Sequence, residues 1–225
     1  MAGSQDQDGI ARDKHRMLTR DLAGRDITDP DVLRVMAEVP RERFVPPEYR
    51  AQAYQDGPLP IGAGQTISQP YIVALMTQLL RLEPQHNVLE IGTGCGYQTA
   101  ILARLVARVF TIEAVAELSI SARDVLAELG VDNVAFEVGD GSCGWPATER
   151  TSGFDRIIVT AAVPDLPPPL WVQLAEGGLM VAPVGSGSAQ ALVLAEKFRG
   201  KPVERHICGC RFVKLVGRYG FRGSS

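Results

Sequence analysis

An α/β fold is predicted, with a mostly parallel sheet, a C-terminal antiparallel hairpin and an N-terminal helical cap, and three observations carry it. Residues 87–100, NVLEIGTGCGYQTA, pass from a short apolar run into a loop holding Gly92, Gly94 and Gly96, then directly into a helix-forming segment. From residue 70 onward, apolar runs of strand length alternate with amphipathic stretches of helix length. That alternation lays parallel strands side by side with helices on both faces. The last two apolar runs flank Arg199-Gly200-Lys201 and read as a hairpin.

Residues 1–9, MAGSQDQDG, are polar and acidic, and no order is expected there. Helices follow at 10–23 and 30–39, the second opened by Asp29 as N-cap and Pro30 at the first helical position. Its apolar residues Leu33, Met36 and Val39 recur at helical spacing. The run PRERFVPPEYRAQAYQDGPLPIG is too rich in proline to sustain a helix and is expected to run extended over a surface. Residues 10–69 therefore read as a cap with its connecting loop, and 70–225 as the core on which it packs, the two making a single domain.

Within the core, 70–82 reads as a helix and 88–91 as the first strand. The segment TAILARLV after the glycines is helical, and 109–112 is the second strand. A helix over 115–129 puts Val115, Leu118, Ala122, Val125 and Leu129 on one face and stops at Gly130. Strands follow at 134–138 and 156–160. A helix around 170–175 is expected to end at Gly177-Gly178, before a fifth strand over 179–183. The remainder, ALVLAEKF and VERHICGCRFVKLV, supplies the hairpin. Internal repeats and low-complexity tracts are absent.

Bulk properties narrow the function. A chain of 225 residues is the usual size of one α/β domain. The 23 basic and 26 acidic residues are mixed and sum to −3, so no general field exists to hold a nucleic-acid backbone, and no nucleic-acid partner is expected. No apolar run approaches the roughly 18 residues of a membrane helix. The polar N-terminus resembles neither a signal nor a transit peptide. A cytoplasmic monomer is expected. Of Cys95, Cys143, Cys208 and Cys210, only the last two are close in sequence. A structural zinc needs four converging ligands, so reduced cysteines and no metal are expected.

Strand, glycine-rich turn and helix form the pocket in which Rossmann-like sheets hold an adenosine-containing cofactor. Dinucleotide enzymes use G-x-G-x-x-G to seat a pyrophosphate. Here the pattern is E-x-G-x-G-x-G, running from Glu90 through Gly92, Gly94 and Gly96. It resembles the first motif of S-adenosylmethionine-dependent methyltransferases, whose cofactor has no pyrophosphate. Glu90 either orients the loop or sits near the amino group of the methionine moiety. Glu113, just past the second strand, is placed to accept hydrogen bonds from a ribose diol; a solvated strand-end glutamate is the alternative. Asp140-Gly141, after the third strand, is either an adenine contact or an ordinary turn.

Fold alone does not name an acceptor. The block VPRERFVPPEYRAQAYQDGPLPIGAGQTISQPYIVA over residues 39–74, then VLEIGTGCGYQTAILA, FDRIIVTAAVPDLPPPLW and RFVKLV, resembles the protein-L-isoaspartate O-methyltransferase family over nearly the whole chain. GQTISQPYIVA is the most specific part. The resemblance implies methyl transfer from S-adenosylmethionine to the α-carboxylate of L-isoaspartyl residues in damaged proteins and peptides. The ester then re-forms a succinimide, part of which opens to aspartate. It implies Ser68 as the active-site serine on the acceptor side, with Thr66, Ile67 and Gln69 shaping the same loop. From spacing alone Ser68 serves equally well as a helix cap.

An α-carboxylate is ionised at neutral pH, its pKa being roughly 3.3–3.7, so no general base is required. Two departures from the family pattern stand out: Ala63, where many relatives carry histidine or glutamate, and Lys214, in place of the proline of R-F-V-P-L. Lys214 bears on substrate preference, not on cofactor binding. A dedicated methyltransferase for one peptide partner, and a silent cofactor-binding scaffold, are the alternative readings.

Overall fold

The computed structural model describes residues 2–146 and 153–222. The chain opens with helix α1 (Ala2–Arg16), which continues as a π-helical stretch, Met17–Leu22. The backbone is helical from Ala2, where the sequence carries no signal for order; residue 1 lies outside the described residues. Helix α2 (Pro30–Glu38) begins as its sequence predicts: the Asp29 carboxylate accepts from the N–H groups of Asp31 and Val32 at 2.9 and 3.2 Å.

The proline-rich stretch departs from the extended surface path expected of it. It winds through two 3-10 turns, Arg41–Phe44 and Pro47–Gln52, and buries Arg41, Phe44, Val45, Ala53 and Tyr54. A small antiparallel pair follows, β1 (Leu59–Gly62) and β2 (Gln65–Ile67), turning at Ala63-Gly64. Then come α3 (Pro70–Leu79), β3 (Asn87–Ile91), α4 (Tyr97–Ala103), β4 (Arg108–Glu113), α5 (Ala116–Glu128) and β5 (Val134–Val138). The chain closes with β6 (Phe154–Val159), α6 (Pro168–Gln173), β7 (Leu174–Val184), β8 (Gln190–Phe198) and β9 (Lys201–Cys210).

Seven strands form one sheet in the order β5-β4-β3-β6-β7-β8-β9. The first five are mutually parallel; β8 pairs antiparallel with β7, and β9 antiparallel with β8. Alternate residues of the central strands feed two apolar layers. Val88, Val109 and Ile158 face the layer shared with α2, α3 and α4, while Leu89, Phe110 and Ile157 face the layer of Trp145, Leu170 and Leu174. Strand order reverses between β3 and β6, which opens a crevice beyond their carboxyl ends.

Two corrections concern the C-terminal third. Gly177-Gly178 does not stop a helix. Strand β7 begins already at Leu174, and between Leu174↔Phe154 and Leu179↔Arg156 its extra residues form a bulge. A Cβ at Gly178 would lie 2.8 Å from the Ala175 carbonyl oxygen. The segment RFVKLV is not hairpin strand either. β9 ends at Cys210, and the chain then runs beside the end of β6, with Ala162 N–H donating to the Val213 carbonyl (2.7 Å) and Leu215 N–H to the Ala162 carbonyl (2.8 Å). Among the described residues no helix is long and apolar enough to cross a membrane.

Candidate active site

The cleft lies where the switch point predicts it, and four segments supply most of its lining. Two come from the sheet: the glycine loop after β3 and the residues following β4. The other two cross over them: the loop at residues 65–68 and the strap at 212–216. The glycine loop is held from below and beside. Gly92 N–H continues the β3–β4 ladder to the Ile112 carbonyl (2.8 Å), and the Thr160 hydroxyl lies 2.9 and 2.6 Å from the carbonyls of Ile91 and Gly92. Gly92 has φ +97°, and a Cβ there would lie 2.4 Å from the Thr160 Oγ1. Gly96, at φ +87°, starts α4 tight against α5; its Cβ would meet that of Ala122 at 3.1 Å.

Glu113 is buried at the end of β4 and faces the cleft. Its Oε2 accepts from Gly94 N–H (2.8 Å) and its Oε1 from Val115 N–H (3.0 Å). A carboxylate has about four acceptor positions, so lone pairs remain for hydroxyl donors. Beside it, Ile91, Ile112 and Gly141 make an apolar floor. A Cβ on Gly141 would lie 2.6 Å from the Ile91 Cγ2, so this position admits no side chain and the floor stays flat. An acceptor-rich carboxylate over an apolar floor fits a ribose and its attached base.

Across the cleft stand Thr66, Ile67 and Ser68. Ser68 is half-buried, and its hydroxyl makes no hydrogen bond to the described residues. The cap position of α3 falls on Gln69, which provides no side-chain cap. The Ser68 hydroxyl is thus not engaged as a helix cap. Gln69 itself turns outward, and its Nε2 donates to Asp56 Oδ1 at 2.7 Å. Ile61, on β1, stacks over the glycine loop: a Cβ at Gly94 would meet its Cδ1 at 3.5 Å.

Two acidic residues singled out from the sequence point away from this cleft. Glu90 is fully buried beneath the glycine loop, where its Oε2 accepts from the hydroxyls of Thr99 (2.6 Å) and Thr111 (2.7 Å). Its Oε1 has no partner among the described residues. Burial pushes its carboxyl up to about 8, against the pull of the two threonines. The Thr111 hydroxyl in turn shares a hydrogen bond with that of Thr93 (2.7 Å), and Thr93 lines the cleft. Glu90 therefore reaches the loop through hydroxyls.

Asp140 caps the short turn Gly141–Cys143, its Oδ1 accepting from Ser142 N–H (2.9 Å) and the Ser142 hydroxyl (2.6 Å). Its Oδ2 accepts from Arg218 N–H at 2.7 Å and so ties down the C-terminal strap. Burial opposes its ionisation, yet these donors outweigh it and hold the carboxyl below its ordinary value.

Sequence reading did not single out Thr93 or Thr160 as part of the site; of the strap it marked Lys214, which lines the cleft. Cys95 lines the cleft, and burial pushes its thiol up to about 11, which keeps it protonated at neutral pH. Cys208 and Cys210 are free, and no metal-ligating cluster of His, Cys, Asp or Glu occurs among the described residues.

Comparison with known proteins agrees with this geometry. The family model for protein-L-isoaspartate(D-aspartate) O-methyltransferase matches residues 12–220. A protein-L-isoaspartate O-methyltransferase of Methanoregula boonei is 51% identical over 209 residues, covering 93% of this chain and 95% of its own. One from Koribacter versatilis is 50% identical over 221 residues and 98% of each chain. Among solved structures, a protein-L-isoaspartate O-methyltransferase superposes with TM-score 0.80 at 29% identity, over 92% of this chain and 67% of that one. A Plasmodium falciparum structure described as the same type of enzyme, in complex with S-adenosyl-L-homocysteine, gives TM-score 0.78 at 27% identity, over 90% of this chain and 98% of that one. The chain belongs to the protein-L-isoaspartate(D-aspartate) O-methyltransferase family.

Proposed function

We propose that the protein transfers a methyl group from S-adenosylmethionine to the α-carboxylate of L-isoaspartyl residues in damaged proteins and peptides, and so begins their return to aspartate. The observation that carries this reading is the unengaged Ser68 hydroxyl facing the glycine loop across one cleft, in a chain of this family. When bound, the cofactor supplies an electrophilic methyl group on a sulfonium.

In this reading Glu113 receives the ribose hydroxyls, while Gly92, Gly94 and Gly141 leave the space that side chains would fill. Gly96 sets α4 against α5 and keeps the loop in register. Glu90 orients the loop through Thr111 and Thr93, and Asp140 anchors the strap over the site. The Ser68 hydroxyl donates to the acceptor carboxylate and aims one oxygen without taking a proton. Thr66 and Ile67 shape that loop, and Gln69 pins its far end to Asp56. No base is needed, because the acceptor is already an anion. Charge is lost as the methyl group moves, so a cleft closed by residues 65–68 and 212–216 favours the transfer by excluding water. Alignment of the reacting atoms supplies most of the rest.

We further propose that residues 10–69 act as the cap carrying the acceptor loop on the core at 70–225, and that the protein works as a cytoplasmic monomer. The repair claim is tested by incubating an isoaspartyl peptide with protein and S-adenosylmethionine through repeated cycles of ester formation and hydrolysis. Chromatography should show aspartyl peptide accumulating at the expense of the isoaspartyl form. A peptide population that stays isoaspartyl despite turnover would refute repair.

A further inference from the structure

Arg41 lies in the proline-rich block at residues 39–74, has no role assigned to it above, and has surroundings unusual for an arginine. It is fully buried, at the start of the 3-10 turn Arg41–Phe44. Its Nε donates to the Ala53 carbonyl at 2.7 Å and its Nη2 to the Ser68 carbonyl at 2.7 Å. Its own N–H donates to the Tyr54 hydroxyl at 3.2 Å. The guanidinium lies 4.8 Å from the centre of the Tyr97 ring, and Tyr97 is the first residue of α4, directly after Gly96. One planar group thus touches the acceptor loop on one side and the end of the glycine loop on the other.

Its charge is not neutralised. Arg41 takes part in no ion pair among the described residues, and its Nη1 has no hydrogen-bond partner among them. The titratable groups against it are Tyr54, Tyr97 and Cys95, and burial raises all three above their ordinary values, so each is neutral at pH 7. Burial pulls Arg41 itself downward, but a guanidinium remains protonated in a protein. An unpaired buried cation opposes folding. Packing alone would be better met by an apolar side chain of the same length.

We propose that Arg41 is the positioning residue of the acceptor subsite: its fork fixes the main chain of Ser68 relative to the start of α4, and its uncompensated charge favours a carboxylate in the acceptor position. The inference rests on the reading of residues 66–68 as the acceptor loop. Methyl transfer needs three atoms in line, and a misplacement of about 1 Å can cost 100-fold. Lysine retains the charge but not the planar fork that spans two carbonyls and a ring. Methionine retains length and loses both.

The test compares wild type, Arg41→Met, Arg41→Lys and Ser68→Ala by kcat and KM for an isoaspartyl peptide, with the Kd of S-adenosylhomocysteine by calorimetry. For Arg41→Met, kcat/KM for the peptide should fall about 10- to 100-fold, with a raised KM, while the S-adenosylhomocysteine Kd stays within about two-fold. Arg41→Lys should restore KM and leave kcat low.

Parallel loss of peptide turnover and cofactor affinity in a folded Arg41→Met would overturn the proposal, as would unchanged peptide kinetics. If Arg41→Met does not fold, Arg41→Lys decides: low kcat with intact cofactor affinity supports the proposal, and unchanged kcat refutes it. Ser68→Ala keeps the carbonyl that Arg41 holds. Impaired Arg41 variants beside a kinetically silent Ser68→Ala would therefore discard the hydroxyl's role and retain that of Arg41; the reverse would discard Arg41.

Discussion

Glu90→Gln isolates the energetic consequence of placing a carboxyl group in the core beneath the glycine loop. In the unfolded chain Glu90 ionises near its ordinary value of 4.5, and in the folded protein burial pushes it up to about 8. Below 4.5 the proton is bound in both states and stability is unaffected by this group. Between the two values the folded protein keeps a proton that the unfolded chain has released, so stability declines as pH rises. Above about 8 both states are ionised and the stability contributed by the neutral group is gone. One proton gives a slope of at most about 1.4 kcal/mol per pH unit, which caps the loss across the window at about 5 kcal/mol.

Glutamine keeps an acceptor for the hydroxyls of Thr99 and Thr111, which now approach Glu90 Oε2 at 2.6 and 2.7 Å, and it has no charge at any pH. Its amide hydrogens, lodged where Oε1 has no partner among the described residues, shift stability by a constant of about 1–3 kcal/mol. The pH slope does not depend on that offset. Urea denaturation of cofactor-free wild type and Glu90→Gln, at half-unit steps from pH 5 to 8, gives the difference curve directly. It should tilt toward the variant by at least about 2 kcal/mol as pH rises. Titrating groups that do not interact with Glu90 cancel in the difference. Parallel curves would refute the reasoning, because they would mean that Glu90 ionises as it would in water.

Three further substitutions separate the sides of the cleft. Ser68→Ala removes one hydrogen bond to a charged acceptor, worth about 1.5–3 kcal/mol; kcat should fall about 10- to 150-fold with little change in cofactor affinity, and equal loss of both would contradict its acceptor role. Glu113→Ala should do the opposite, weakening S-adenosylhomocysteine binding about 100-fold by calorimetry, since it removes the ribose acceptor and strands the N–H groups of Gly94 and Val115. Gly92→Ala forces a Cβ to within 2.4 Å of the Thr160 Oγ1 at φ +97°, and backbone strain alone should lower the urea-derived stability by about 1–3 kcal/mol.

Much of the core was legible because its signals are local. The short run Val88-Leu89-Glu90-Ile91 followed by glycines fixes β3 and its loop, and the helical spacing of Leu118, Ala122 and Val125 predicts α5 to within a residue or two. What escaped depends on contacts far apart in sequence. Gly177-Gly178 has the composition of a helix stop, but the register of β6 against β7 turns it into a bulge. RFVKLV has the residues of a strand and leaves the sheet because Ala162 offers it a new partner.

The site divides in the same way. Gly92, Gly96 and Glu113 follow from where a strand must end. The orientations of Glu90 and Asp140 rest instead on Thr99, Thr111 and Arg218, which local pattern does not bring near them. Arg41 was invisible because an arginine in a proline-rich stretch reads as surface, and only the folded 3-10 turn carries it under Ser68.

The most direct measurement of the central claim is transfer of a labelled methyl group from S-adenosylmethionine to two synthetic peptides that differ only in L-isoaspartate or L-aspartate at one position. Base-labile label on the isoaspartyl peptide alone is the predicted result. Equal labelling of both peptides, or cofactor binding with no transfer to either, would contradict it.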